Sequence, residues 1–152
     1  MTDLSVRPNQ PFDLAPLAAL LMDEADLARV NPSAKHPFDA LEWQEKWLNE
    51  PEDASYYLVD SQGREVGFFA LRIGIGPEVR HLTYAFVAQE ARGGAGGQLA
   101  AEVEATARSL GALSITLKVE LDNAPALNAY LSAGFEELGR SGEVATMRKD
   151  LD

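Results

Sequence analysis

The sequence predicts a mixed α/β (α+β) domain, with a mostly antiparallel central sheet of about seven strands and about four flanking helices. Three observations predict it. Segments with apolar residues at helical spacing are interspersed with short runs rich in β-branched and aromatic residues. Two of those runs are joined by Ser61-Gln-Gly-Arg64, a hairpin turn that makes the early sheet antiparallel. Later, a strand, a helix and a second strand follow one another between Val79 and Val119, and this β-α-β unit supplies a parallel step.

The elements follow in order. Leu4 to Arg7 is a short strand ended by Pro8. Asp13 can N-cap a helix through about Arg29, with Leu17, Leu20, Leu21 and Leu27 roughly on one side. Asn31 to Pro37 breaks that helix with two prolines. A second helix, about Phe38 to Leu48, carries Leu41, Trp43, Trp47 and Leu48. Trp43 and Trp47 share a face, and core packing is the favoured reading over a lid that lines a pocket. Strands follow at Ser55 to Asp60, Glu65 to Ile73 and, after a turn at Gly74 to Pro77, Val79 to Val87. The next helix runs from about Gly97 to Leu110, with Leu99, Val103, Thr106 and Leu110 at helical spacing and Gly111 as its stop. Ser114 to Val119 alternates like a strand. Asn123 begins a short helix carrying Ala126, Leu127, Tyr130 and Leu131, ended by Gly134. Phe135 to Gly139 and Glu143 to Lys149 are the closing strands.

Bulk properties narrow the function classes. The 152 residues fit one domain, 1–152, with a single substantial core. Apolar content of 46% and charged content of 24% are those of an ordinary globular protein. No apolar run is long enough to cross a bilayer, and Met1 to Arg7 lacks the pattern of a secretory signal, so no membrane partner is expected. There are no cysteines, which excludes disulfides and thiolate chemistry and fits a cytoplasmic location; no metal site is expected. The net charge of −11 and the lack of a basic cluster argue against nucleic acid. Acidic charge chiefly serves solubility, and it also suits a cationic amine substrate.

Arg92-Gly-Gly-Ala-Gly-Gly97 carries the most chemistry. A strand, a glycine-rich turn and a helix N-terminus form a phosphate site, because glycines let the backbone approach and the first-turn N–H groups point at the anion. Against an acidic protein, an anionic ligand depends on such local donors, with Arg92, Arg80 or Lys118 as supplements. A dinucleotide fold is disfavoured by the glycine spacing and by the absence of repeated β-α-β halves.

The chain resembles the GNAT superfamily of N-acetyltransferases. The family pattern is Arg or Gln, two residues, Gly, one residue, then Gly or Ala. Here it reads Arg92, Gly93, Gly94, Ala95, Gly96, Gly97, with Ala95 standing where glycine is usual. The stretch from Asn123 through Ala126 and Tyr130 to Gly134-Phe135 matches the second cofactor motif, and Met147 to Leu151 resembles the last strand. The resemblance implies acetyl-CoA, or another acyl-CoA, as donor and a small-molecule or peptide amine as acceptor. It implies that the loop amides from Arg92 to Gly97 hold the pyrophosphate and that the pantetheine arm pairs with the strand end at Phe86 and Val87. Asn123 frames the arm, a backbone N–H around Val87 meets the oxyanion, and Tyr130 protonates the leaving thiolate.

For the base, the resemblance puts His81 where some members carry a glutamate early on the fourth strand. Others carry one on the fifth, where this chain has Lys118 with Glu120 two residues on. That departure disfavours an acidic base there and leaves a water-relayed deprotonation as the alternative. In a regular strand His81, Thr83, Ala85 and Val87 would share a face, aiming His81 at the acyl group. Trp43, Trp47, Phe38 and His36 are candidate acceptor walls. Family members often pair, so a homodimer is open. A non-catalytic acyl-CoA-binding module is the alternative function, and it would not need Tyr130.

Overall fold

Chain order in the computed structural model is β1 (Ser5–Pro8), α1 (Ala15–Leu20), α2 (Glu24–Val30), α3 (Ala40–Lys46), β2 (Ala54–Val59), β3 (Glu65–Ile73), β4 (Val79–Val87), α4 (Ala95–Ser109), β5 (Ser114–Glu120), α5 (Ala124–Ser132), β6 (Glu136–Ser141) and β7 (Val144–Asp150). The structure describes residues 4–9, 13–31, 33–46, 54–73, 78–88 and 95–151. The expected strand order holds, and among the described residues there are five helices rather than about four.

The extra helix comes from a break. The segment expected as one helix over 13–29 is two short ones. Asp23 is extended (φ −78°, ψ 130°), and its carboxylate accepts from Asp26 N at 3.0 Å, which starts α2 afresh. The N-cap of α1 is Leu14 and not Asp13, which stands one residue before it and accepts from Ala15 N at 3.0 Å through Oδ1. Leu17, Leu21 and Leu27 are buried in spite of the break, so the apolar stripe belongs to two helices that share one core.

One sheet has the order β1-β2-β3-β4-β5-β7-β6. Every neighbouring pair is antiparallel except β4 and β5, the parallel step of the β-α-β unit. Apolar residues on the two faces build two cores. One lies under α1, α2 and α3 and holds Leu17, Leu27, Trp43, Tyr57, Phe68 and Phe86. The other lies under α4 and α5 and holds Leu82, Leu99, Val103, Leu117, Tyr130 and Met147. Trp43 is fully buried and stacks on Phe38 at 5.3 Å, as the core-packing reading expects. Trp47 lies outside the described residues.

Two glycines have specific work. Gly67 lies where β2, β3 and β4 crowd together, and a Cβ there would meet Phe86 O at 2.7 Å and Leu58 Cδ1 at 2.8 Å. Gly134 stands at φ +101° after α5, where Phe135 N returns to Tyr130 O at 3.0 Å. The Lys149 ammonium closes the same turn by donating to Ala133 O at 2.6 Å, and it also pairs with Glu104 of α4. This ties the end of α5, and hence Tyr130, to both β7 and α4.

No described helix is long and apolar enough to cross a membrane. Among the described residues no group of three or more His, Asp or Glu side chains could hold a metal.

Candidate active site

The site begins with a defect in β4. On its β3 side the register runs Ala70↔Thr83 and then Phe68↔Phe86, so β4 carries one residue more than its partner. Tyr84 absorbs the difference at φ +55°, a left-handed conformation that costs a non-glycine residue roughly 1–2 kcal/mol. On the β5 side, pairing stops just before this point, at Leu82↔Leu117. Beyond it β4 continues along β3, while β5 follows β7 as far as Glu120↔Val144. The two parallel strands therefore part, and their facing edges lose their ladder partners.

The bulge also exchanges the faces of β4. Leu82 packs in the α4–α5 core, and so do Ala85 and Val87. Tyr84 and Phe86 pack in the α1–α3 core. Strict alternation from Leu82 would have put Ala85 and Val87 on the opposite side. The expected common face of His81, Thr83, Ala85 and Val87 is thus corrected. His81 and Thr83 share the α1–α3 side with Tyr84 and Phe86, and Ala85 and Val87 turn the other way.

A cavity of 780 Å³ fills the gap. Residues 81–87 of β4 line it on one side and residues 117–120 of β5 on the other. Asn123, Pro125, Ala126, Ala129 and Tyr130 of the α5 segment close one end, while Asp26, Arg29 and Val30 of α2 border the other. Of the sequence-derived site residues, His81, Phe86, Val87, Asn123 and Tyr130 are brought together here. Trp43, Phe38 and His36, the expected acceptor walls, do not line it. Trp43 and Phe38 are occupied in the core, and His36 sits 3.3 Å from the Glu24 carboxylate and 3.4 Å from Met22 O. Arg80 is likewise elsewhere: it is buried, with its guanidinium donating to Leu71 O at 3.3 Å.

Tyr130 is packed edge-on against Phe135, with ring centroids 5.5 Å apart, on the fixed end of α5. Burial pushes its phenol up to about 12, so it stays protonated across the working range of any enzyme. Asn123 occupies the N-cap position of α5 but makes no side-chain cap bond (φ −89°, ψ 66°). Pro125, in the first turn, has no N–H to cap. The Asn123 amide is thereby left to the cavity that it lines.

His81 is fixed by Thr116 across the parallel pair, with Nδ1 2.8 Å from Oγ1, which leaves Nε2 as the nitrogen open to a ligand. Burial is the main reason its pKa falls below the ordinary value, and the positive charges of Lys118 and Arg72 add to it. At neutral pH it is an uncharged imidazole, able to accept a proton.

The glycine loop is only partly described. Arg92, Gly93 and Gly94 lie outside the described residues. Ala95, Gly96 and Gly97 form the first turn of α4, which begins two residues earlier than expected. Their backbone is thus the helix N-terminus whose N–H groups lack partners within the helix.

Sequence reasoning missed the α2 border and the bulge. Asp26 and Arg29 stand three apart on a helix, a spacing that marks them as neighbours but not as pocket residues. Leu82, Tyr84 and Phe86 alternate as in any regular strand, so nothing in the residue pattern announces a bulge.

No curated protein matches the chain. Solved structures do. Spermidine N-acetyltransferase from Vibrio cholerae, in complex with CoA and spermine, aligns with a TM-score of 0.78 at 20% identity, covering 97% of this chain and 95% of that one. The GNAT domain of PAT from S. lividans aligns with a TM-score of 0.78 at 17% identity, covering 96% and 89%. At these identities the likeness establishes a shared fold. The model of the acetyltransferase (GNAT) family matches residues 18–135, well over half of the sequence, and the chain therefore belongs to the GNAT acetyltransferase family and is an acyltransferase.

Proposed function

We propose that the protein transfers an acetyl (acyl) group from acetyl-CoA to a primary amine, by direct attack within a ternary complex. The observation that carries this reading is the cavity between the parted halves of β4 and β5, with His81 on one strand and Tyr130 on the facing helix. The donor's extended arm fits along β4 beyond its pairing with β5, and the residues that would hold it are Phe86, Val87 and Asn123. Arg92, Gly93 and Gly94, with the backbone N–H groups of Ala95, Gly96 and Gly97, would take the pyrophosphate. Acetyl-CoA, when bound, supplies the acyl group as a thioester.

The chain's own residues then divide the work. An alkyl amine titrates near ~10.4 and arrives protonated at neutral pH, so a base must free its lone pair. His81, held neutral by burial and by Lys118, takes that proton. A backbone N–H around Val87 donates to the carbonyl oxygen as negative charge builds on it, a contact typically worth about 3–4 kcal/mol. As the new N–C bond forms, the nitrogen gives up its second proton to water. As the C–S bond breaks, Tyr130 donates a hydrogen bond toward the sulfur, which leaves as the thiolate of CoA and takes its proton from water. A phenol at about 12 lies above a thiol near ~8.5, so hydrogen bonding to the nascent thiolate contributes more than full proton transfer. The acceptor, a small amine, enters from the α2 side, where the carboxylates of Asp26 and Glu120 stand with the cations Arg29 and Lys118. The Vibrio cholerae neighbour, described with spermine, agrees with that class. We place the protein in the cytoplasm, where acyl-CoA is available, as a single domain.

Calorimetric titration with acetyl-CoA, followed by thiol release across a panel of amines, tests the reading. Binding with amine-dependent release supports it. Binding without release to any amine would support a non-catalytic acyl-CoA module instead. No binding at millimolar acetyl-CoA would overturn both.

A further inference from the structure

The bulge at Tyr84 needs an explanation. Left-handed φ in a large aromatic residue persists only where the surroundings impose it. No glycine supplies the conformation here, and strand pairing with β5 ends at Leu82, short of Tyr84. Support comes from the opposite layer. Trp43 of α3, fully buried, meets the Tyr84 ring edge-on with centroids 5.1 Å apart. Phe38 stacks behind Trp43 at 5.3 Å with the ring planes 26° apart. α3 is itself tied down. The Asp39 carboxylate accepts from Leu41 N at 3.1 Å, and the buried Glu42 carboxylate accepts from Lys35 N at 2.9 Å. Three aromatic rings therefore run in series from the segment before α3 to the left-handed residue in the cavity wall.

The consequence follows from the period of a strand. A slip of one residue turns every later side chain to the other face. Should Tyr84 relax to extended backbone, Ala85 and Val87 would exchange sides with Phe86, and the N–H groups that follow would turn with them. These are the residues proposed above to meet the donor's arm and the oxyanion.

We propose that Trp43 is a positioning residue for the acyl-transfer site. It touches neither substrate. Backed by Phe38, it holds Tyr84 in the left-handed conformation and so sets which groups of Ala85 to Val87 face the cavity. This inference rests on the acyltransferase reading for its kinetic consequence, but its structural part stands by itself.

Three variants test it: Trp43→Leu, Tyr84→Gly and the double variant. The readouts are kcat and KM for acetyl-CoA with the best amine, and the HN–Hα coupling and amide shifts of residues 84–87 by NMR. Trp43→Leu is expected to lower kcat about 10- to 100-fold, with a raised KM for acetyl-CoA and amide shifts moved along 84–87. Glycine adopts left-handed φ without the clamp. Adding Tyr84→Gly to Trp43→Leu is therefore expected to bring kcat back to within a few-fold of Tyr84→Gly alone, although melting temperature stays low. Recovery of rate without recovery of stability is what a merely structural tryptophan would not give. Phe38→Leu weakens the same clamp from behind. It should show a smaller loss with the same rescue, and it replaces Trp43→Leu should that variant not fold. The proposal is overturned if the clamp variants lose stability while kcat and the 84–87 signals stay at wild-type values, or if glycine at 84 rescues nothing. A wild-type protein inactive on every amine would sink the transfer reading, and the NMR arm would still decide whether Trp43 sets the bulge.

Discussion

β4 divides at Tyr84 into two unlike halves. From Val79 to Leu82 it is bonded to β3 on one side and β5 on the other, and its residues alternate as a buried strand should. From Tyr84 to Val87 it keeps β3 alone, its faces are exchanged, and it walls a cavity. The first half, Val79-Arg80-His81-Leu82, is half polar, and the second, Tyr84 to Val87, is apolar throughout. Their pairing differs as well: the first half pairs with strands on both sides, and the second pairs with β3 alone. Sheet edges are generally a hazard that proteins cover. Here the edge is interior and bordered by α5 and α2, and the proposed reading gives it to the acyl donor. A change in the first half should therefore act on stability, and a change around the second half on rate.

The largest expected effect breaks the comparison on its chemical side. Tyr130→Phe removes only a hydroxyl and should lower kcat about 10²- to 10⁴-fold with little change in melting temperature. Burial holds that phenol up to about 12, so the wild-type pH–rate profile should show no fall from Tyr130 ionisation anywhere below about pH 11. A profile collapsing near pH 10 through this residue would contradict the packing described.

Ile115→Ala addresses the bonded half. Ile115 is fully buried opposite Arg80, outside the cavity, so its truncation should cost about 2–5 kcal/mol in chemical denaturation. The kcat per folded molecule should hold.

Gly67→Ala sharpens the line between the halves. Its Cβ would press on Phe86 O and Leu58, where neither neighbour is free to retreat. A loss of about 1–3 kcal/mol is expected, together with a raised KM for acetyl-CoA, because the displaced atom belongs to the second half. A loss of stability with unchanged KM would separate the Phe86 backbone from cofactor binding.

The smallest effect is on pH. His81 titrates below its ordinary value, so activity that depends on neutral His81 should rise with pH through a midpoint below 6.5. Lys118 is one of the charges that hold the pKa down, and Lys118→Gln should move the midpoint upward toward 6.5. His81→Gln should abolish that acid limb. Retention of the limb in His81→Gln would shift the base to Glu120, which borders the same cavity.

Much of this was readable in the residues, and the unreadable part has physical causes. Gly134 and the run from Asn123 to Tyr130 announced α5 because glycine and proline chemistry is local. The hairpin at Ser61 to Arg64 and the parallel step across α4 were legible for the same reason. Arg92 to Gly97 pointed to a phosphate-bearing ligand through backbone chemistry that any strand–turn–helix shares, and of that loop the structure describes Ala95 to Gly97. The break at Met22 and Asp23 was hidden because one leucine stripe can serve two short helices as well as one long one. The bulge was hidden because the ring that meets Tyr84 lies forty-one positions away in sequence, in Trp43. The same tryptophan looked like core or like pocket wall, and the structure puts it in the core behind the wall. The α2 border, with Asp26 and Arg29, depended on which helix the chain folds over the parted strands, and local pattern carries no record of that.

Amide NMR during titration with acetyl-CoA tests the central claim most directly. The account predicts saturable shifts concentrated at 83–88 of β4, 118–123 of β5 and its exit, and 95–98 of α4, with 79–82 nearly still. Shifts confined to other surfaces, or none at millimolar acetyl-CoA, would contradict the assignment of the parted strands as the acyl-CoA seat.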